Sequence, residues 1–155
     1  MKIKANYFII PAITIFVAVA GSFFTRAGMA WYDTMLIQPA LTPPKWAFPI
    51  AWNTIFILTT ISALIIWNKK KAKDRSFIIG LFLINAALNI MWSLLFFQLH
   101  LIAAAFTEMF LLIFTLILLV LLIWKTSKTA ALLLLPYLFW VSFATYLTYQ
   151  IWILN

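Results

Sequence analysis

Trp52 with Asn53, then Asn85, Asn89 and Trp92, then Glu108, and finally Trp140, Ala144 and Thr148 are the residues whose types and spacing could recognise a ligand. Asn85, Asn89 and Trp92 fall at i, i+4 and i+7, so one helix would carry them on one face. Trp140, Ala144 and Thr148 fall at i, i+4 and i+8, a second stripe with a large ring, a gap and a hydroxyl. Indoles offer flat apolar faces for an aromatic ligand and an N–H that donates. Asparagines add the few polar contacts that orient it. A plainer reading stands beside this one: paired asparagines in a membrane helix also serve as interhelical glue, and a single tryptophan also packs a core. Glu108 is a separate case, because a carboxylate inside a membrane is expensive and is by default functional or internally paired. No basic partner lies at its depth in the other spans. There is no cysteine and one histidine, His100, so thiolate and histidine metal clusters are excluded. No nucleophile with its base and no phosphate loop is visible either.

Membrane-spanning elements must position these residues. Hydrophobic residues make up 66% of the 155 and charged residues 9%, and the mean hydropathy is +1.09; a soluble core of this size could not hide so much apolar surface. Five apolar runs, over residues 7–24, 46–67, 77–97, 101–124 and 130–153, are each long enough to cross about 30 Å of hydrocarbon as a helix. The fold class is an all-α integral membrane protein, a five-helix bundle in a single domain. The opening "MKIK", with "AVAGS" at residues 18–22, also resembles a secretory signal with a cleavage site. The net charge of +8 sits in short runs between the spans, which points to orientation in a bilayer and not to nucleic acid. With the N-terminus cytoplasmic, that side holds Lys2, Lys4, Lys69, Lys70, Lys71, Lys73, Arg75, Lys125 and Lys128, leaving Arg26 and Lys45 outside. Trp31, Trp67, Trp124 and Trp152 fit the interfacial belt. Trp52 and Trp92 fall about 8–9 Å below the outer face and Trp140 about 20 Å. Pro136 is expected to kink the fifth span.

The stretch "ALTPPKWAFPIAW" belongs to the long first connection, expected over residues 25–45. Trp31, Tyr32, Leu36 and Ile37 would give that connection an apolar side to lay on the bundle, while Pro39, Pro43 and Pro44 would stiffen it. It reads as a lid, with Tyr32, Pro43, Pro44 and Trp46 as its candidate contacts, over a pocket of buried Trp and Asn side chains.

"WYDTMLIQPALTPPKWAFPIAW", "LNIMWSLLFFQLH" and "LLPYLFWVSFATYLTYQIWILN" resemble, in order and over almost the whole chain, the translocator protein family, also called tryptophan-rich sensory proteins or peripheral-type benzodiazepine receptors. The resemblance implies a bacterial-type member in the cell membrane that keeps its first helix, so the signal-peptide reading falls. It further implies a homodimer through the third helix, around Gly80 and Ala87, and a pocket under the first loop for a porphyrin such as protoporphyrin IX. By position, Trp52 and Trp140 match the tryptophans facing the ligand, Asn89 and Trp92 match pocket positions on the third helix, and Ala144 matches the small residue of the fifth. Phe56 stands where tyrosine is common and is counted with the ligand contacts. Gln38, Leu41 and Thr148 also depart from the family pattern, which weakens the expected loop contacts. No Lys or Arg follows a tyrosine in the last helix, so specific cholesterol recognition is not expected. Two functions follow: a membrane receptor that binds a porphyrin without a cofactor of its own, or a light-dependent porphyrin-degrading enzyme in which Trp52 and Trp140 would be the catalytic residues.

Overall fold

The computed structural model describes residues 5–69 and 75–155, and every regular element within them is helical. Five stretches are long and apolar enough to cross a bilayer. They are α1 (Asn6–Met35), α2 (Ala47–Asn68), α3 (Arg75–Ser93, prolonged by a π-helical turn over Leu94–Gln98), α4 (Ile102–Trp124), and a last span broken into α5 (Lys128–Leu132) and α6 (Leu135–Leu154). The chain is an all-α integral membrane protein.

The first connection differs from the expected one. Helix α1 does not stop near residue 24; it continues for 30 residues to Met35, and the non-helical link shrinks to residues 36–46. Residues 25–35 contain one glycine and no proline, so nothing in them ends a helix. The extension also has something to pack on. Trp31 stacks on His100 with ring centroids 3.9 Å apart, and Tyr32 leans on Phe96 and Phe97. Gly28 makes the close approach possible, since a Cβ there would lie 2.0 Å from the Phe97 carbonyl oxygen. His100 itself takes a φ of 55° in the short turn between α3 and α4, a left-handed conformation that His adopts more readily than branched residues. Tyr32, expected on the loop, is therefore a helix residue. At about 1.5 Å per residue α1 is roughly 45 Å long, so it tilts or emerges from the hydrocarbon.

Prolines shape the other boundaries. Helix α2 starts just after Pro43 and Pro44, and Pro49 sits in its first turn, where a missing N–H costs nothing. The fifth span breaks at residues 133–134, directly before Pro136 in the first turn of α6, and the Ser127 hydroxyl caps the short α5 by accepting from the Ala130 N–H.

The core forms three clusters strung along α4, which contributes Ala105 to the first, Met109, Leu112 and Leu116 to the second, and Leu119 and Ile123 to the third. Helix α1 buries little. Its Phe8, Ile15, Phe16, Val19 and Phe23 point outward, as lipid contact demands. One end of the bundle carries residues 36–46 and the α3–α4 turn. The other carries Lys69, Arg75, Lys125 and Lys128, and there the Lys69 Nζ donates to the Thr126 carbonyl at 2.7 Å, joining the ends of α2 and α4. Lys2, Lys4, Lys70, Lys71 and Lys73, counted in the charge argument, lie outside the described residues. Arg26, expected on the first loop, is an exposed residue of α1.

Candidate functional site

Four helices bring the predicted residues toward one point below the 36–46 link. Trp52 comes from the second turn of α2, Asn89 and Trp92 from α3, Met109 and Leu112 from α4, and Val141 and Ala144 from α6, and together they line a cavity of about 10 Å³. That is room for about one water molecule. Large rings fill the rest: Trp52 stacks on Phe56 at 5.7 Å and meets Tyr137 edge-on at 6.1 Å. Trp92 stacks on Phe96 at 5.2 Å. Trp140 is packed against the same cluster without lining the cavity, and its ring meets Phe48 and Phe143. Phe56, though stacked on Trp52, does not line this cavity.

The two asparagines of α3 divide their labour. Asn85 Nδ2 donates to Thr115 Oγ1 at 2.9 Å, which clamps α3 to α4. This is the plainer role of interhelical glue. Asn89 borders the cavity, and its Nδ2 donates to the Tyr137 hydroxyl at 3.1 Å. Tyr137 was not singled out in the sequence, although it stands three residues before Trp140 on the stripe that was. Thr148 turns its hydroxyl back to the Ala144 carbonyl at 2.9 Å and adds nothing to the cavity. Asn53 is exposed on the outside of α2. Glu108 is buried, and among the described residues neither of its carboxylate oxygens has a hydrogen-bond partner; the same holds for the Trp92 indole N–H. These are polar atoms held ready in an apolar setting, where each unmet group is costly.

The link above the cavity is tied at both sides. Ile37 exchanges hydrogen bonds with the Asn155 side chain, its N–H donating to Oδ1 at 2.8 Å. Gln38 Nε2 donates to the Tyr32 carbonyl, and Lys45 pairs with Asp33 at 2.7 Å. Leu36 lies on the Phe96–Phe97 cluster, as its apolar character predicts. Pro39 is buried and Pro43 half-buried, while Pro44 is exposed. Trp46 is 67% exposed just before α2 and points away from the bundle.

A bundle of five helices long and apolar enough to cross a bilayer, around a small internal cavity of tryptophan and asparagine, defines an integral membrane protein. The chain belongs to the TspO/MBR family, whose model matches residues 9–153. It is 39% identical to the tryptophan-rich protein TspO of Chlorobaculum tepidum over 140 residues, 90% of this chain and 89% of that one. To the protein of the same name from Archaeoglobus fulgidus it is 36% identical, covering 100% and 97% of the two chains. The translocator protein of Ovis aries is 31% identical over 81% of this chain and 75% of its own.

Proposed function

We propose that this protein is a membrane receptor of the translocator and sensory kind, and that it binds a porphyrin such as protoporphyrin IX between α2, α3, α4 and α6. The observation that carries the reading is the convergence of Trp52, Asn89, Trp92 and Ala144, from three different helices, on one cavity. Indole faces stack on a macrocycle, Ala144 leaves the gap into which it extends, and the unpaired Trp92 N–H offers a donor to its polar edge. Relatives named translocator protein and tryptophan-rich sensory protein are consistent with such a role.

A cavity of about 10 Å³ does not hold a macrocycle, so the protein described is the closed form. Binding requires the Trp52–Phe56 stack to part and the 36–46 link to lift. The Lys45–Asp33 pair is a weak latch: its lysine side chain is 78% exposed, and exposed pairs contribute about 0–1 kcal/mol. The bound form orders the link again over the ligand, with Pro39, Pro43 and Pro44 limiting the entropy lost.

In this reading the protein sits in the bacterial cell membrane with its N-terminus and basic end cytoplasmic. It pairs as a homodimer through the outward face of α3, where Ile84, Ala87 and Met91 are exposed and a Cβ on Gly80 would meet nothing within 4 Å. Ala87→Cys in this cysteine-free chain should give a disulfide-linked dimer in membranes; monomer alone, there and at neighbouring outward positions, would remove the dimer.

The binding test is a titration with protoporphyrin IX read by tryptophan fluorescence. Saturable quenching is expected. Trp52→Phe should weaken binding most, Trp140→Phe less because its ring is one layer back, and the exposed Trp124→Phe not at all. Equal loss in all three variants would overturn the assignment.

A further inference from the structure

A second cavity adjoins the first at Asn89 without touching Trp52 or Trp92. It opens between α1, α2 and α3 toward the basic end and encloses about 270 Å³. Its walls are mostly aliphatic: Ile10, Ile13 and Val17 from α1, Ala63 from α2, and Phe82 and Ala86 from α3. Exposed Ile9 and Leu83 stand on its rim, so it faces lipid. Along α2 the lining runs from Phe56 to Trp67, about 16 Å of helix parallel to the bundle. Those proportions, long and narrow, suit a single hydrocarbon chain and not a flat macrocycle. Asn85, Asn89 and Tyr137 line it as well, with three threonines. The Thr14 and Thr60 hydroxyls bond each other at 2.8 Å, and the Thr59 hydroxyl is buried with no partner among the described residues.

Charge marks one end of this slot. Trp67 closes it, Arg75 Nη1 donates to the Trp67 carbonyl at 3.4 Å, and Lys69 follows two residues after Trp67. Both cations are exposed, and the Lys69 ammonium keeps donors beyond the one it gives to the Thr126 carbonyl. The sequence between them adds Lys70, Lys71 and Lys73. A run of cations at the end of a membrane helix attracts anionic headgroups.

We infer that this slot is a binding site for an anionic membrane phospholipid, one acyl chain lying between α1, α2 and α3 and the headgroup resting on Lys69 and Arg75. The lipid fills the gap between α1, α2 and α3 and adds to the Thr14–Thr60 bond in holding the first helix on the bundle. The slot shares Asn89 with the first cavity but neither Trp52 nor Trp92, and its test is read by photolabelling and not by porphyrin binding, so the two readings fail separately.

The test uses the full chain in lipid nanodiscs doped with a phosphatidylglycerol bearing a photoactivatable diazirine on one acyl chain, with the same probe on phosphatidylcholine as comparison. Mass spectrometry of the irradiated protein should place the phosphatidylglycerol label on Ile13, Ala63 and Phe82, several-fold above the phosphatidylcholine label. Lys69→Gln and Arg75→Gln should each reduce that preference about five-fold, the worth of one cation near an anionic surface. Ala86→Phe and, separately, Ala63→Leu should remove the slot label while outward Phe16 and Phe110 keep theirs; that retained label and an unchanged gel-filtration profile show the variants folded. Equal labelling by the two headgroups, or labelling of Phe16 and Phe110 as strong as in the slot, would overturn it.

Discussion

At one end of the bundle α1 and the π-helical turn of α3 meet so closely at Gly28 and Phe97 that a methyl group would not fit, and the rings beneath leave about 10 Å³. Toward the other end a gap of about 270 Å³ opens between α1, α2 and α3, beside the Thr14–Thr60 bond that joins α1 to α2. The difference separates room from recognition. The tight cavity has convergent indoles but little space; the wide slot shares Asn89 with it and has space, a few hydroxyls and a basic rim. A ligand that enters the first must rearrange aromatic rings, whereas an acyl chain enters the second from the side, as lipid does.

Gly28→Ala attacks that contrast where it is anchored, and it carries the largest expected effect. Its Cβ would collide with backbone at Phe97, so α1 must shift, at a cost of about 1–3 kcal/mol or more. Thermal unfolding in detergent should move down by several degrees. Gly80→Ala, with nothing within 4 Å, should instead be neutral or raise stability by up to about 1 kcal/mol through helix propensity. If both glycines behave alike, the pinned end is not pinned.

Asn85 and Asn89 sharpen the contrast further. Asn85→Leu removes the Thr115 bond and should lower stability by roughly 0.6 kcal/mol, typical of polar contacts between membrane helices, while leaving porphyrin affinity unchanged. Asn89→Leu removes the Tyr137 bond and should also weaken porphyrin binding about two- to twelve-fold, the range for one hydrogen bond. Unfolding curves and titrations on the same two variants decide between glue and ligand contact.

Much of this was legible in the sequence because lipid imposes long apolar runs, and each of the five spans follows one. The stripe of Asn89 and Trp92 and the place of Ala144 followed from helical spacing. The length of α1 did not, because Trp31 and Tyr32 read as loop aromatics until their partners, His100 and Phe97, were in view. Trp46 misled for a related reason: a tryptophan next to prolines looks like an anchor, and only the packing shows it facing outward. The aliphatic part of the slot left no mark, since Ile13, Ala63 and Ala86 are ordinary apolar residues and a gap between helices belongs to none of them; Phe56, Asn85 and Asn89, which also line it, stood out only as candidates for the other cavity.

The smallest expected effect lies in the link. Pro43→Ala with Pro44→Ala frees backbone worth about 0.4–1 kcal/mol at each site, so porphyrin dissociation should quicken about two- to five-fold per site with the bundle intact. Trp46→Ala, exposed as it is, should leave the rate unchanged. Stopped-flow release of protoporphyrin IX distinguishes the two, and a faster rate for Trp46→Ala would give that ring a role the closed form does not show.

The most direct measurement of the central claim is one protoporphyrin IX titration carried out in parallel on Ala144→Phe and Ala86→Phe. Each fills one cavity with a ring, the first beside Trp52 and Trp92, the second in the α1–α2–α3 slot. Overfilling a packed site costs about 1–3 kcal/mol, so Ala144→Phe should lose affinity about five- to 150-fold, while Ala86→Phe titrates like the parent chain. Loss of binding in Ala86→Phe with Ala144→Phe unaffected would place the porphyrin in the slot and contradict the account.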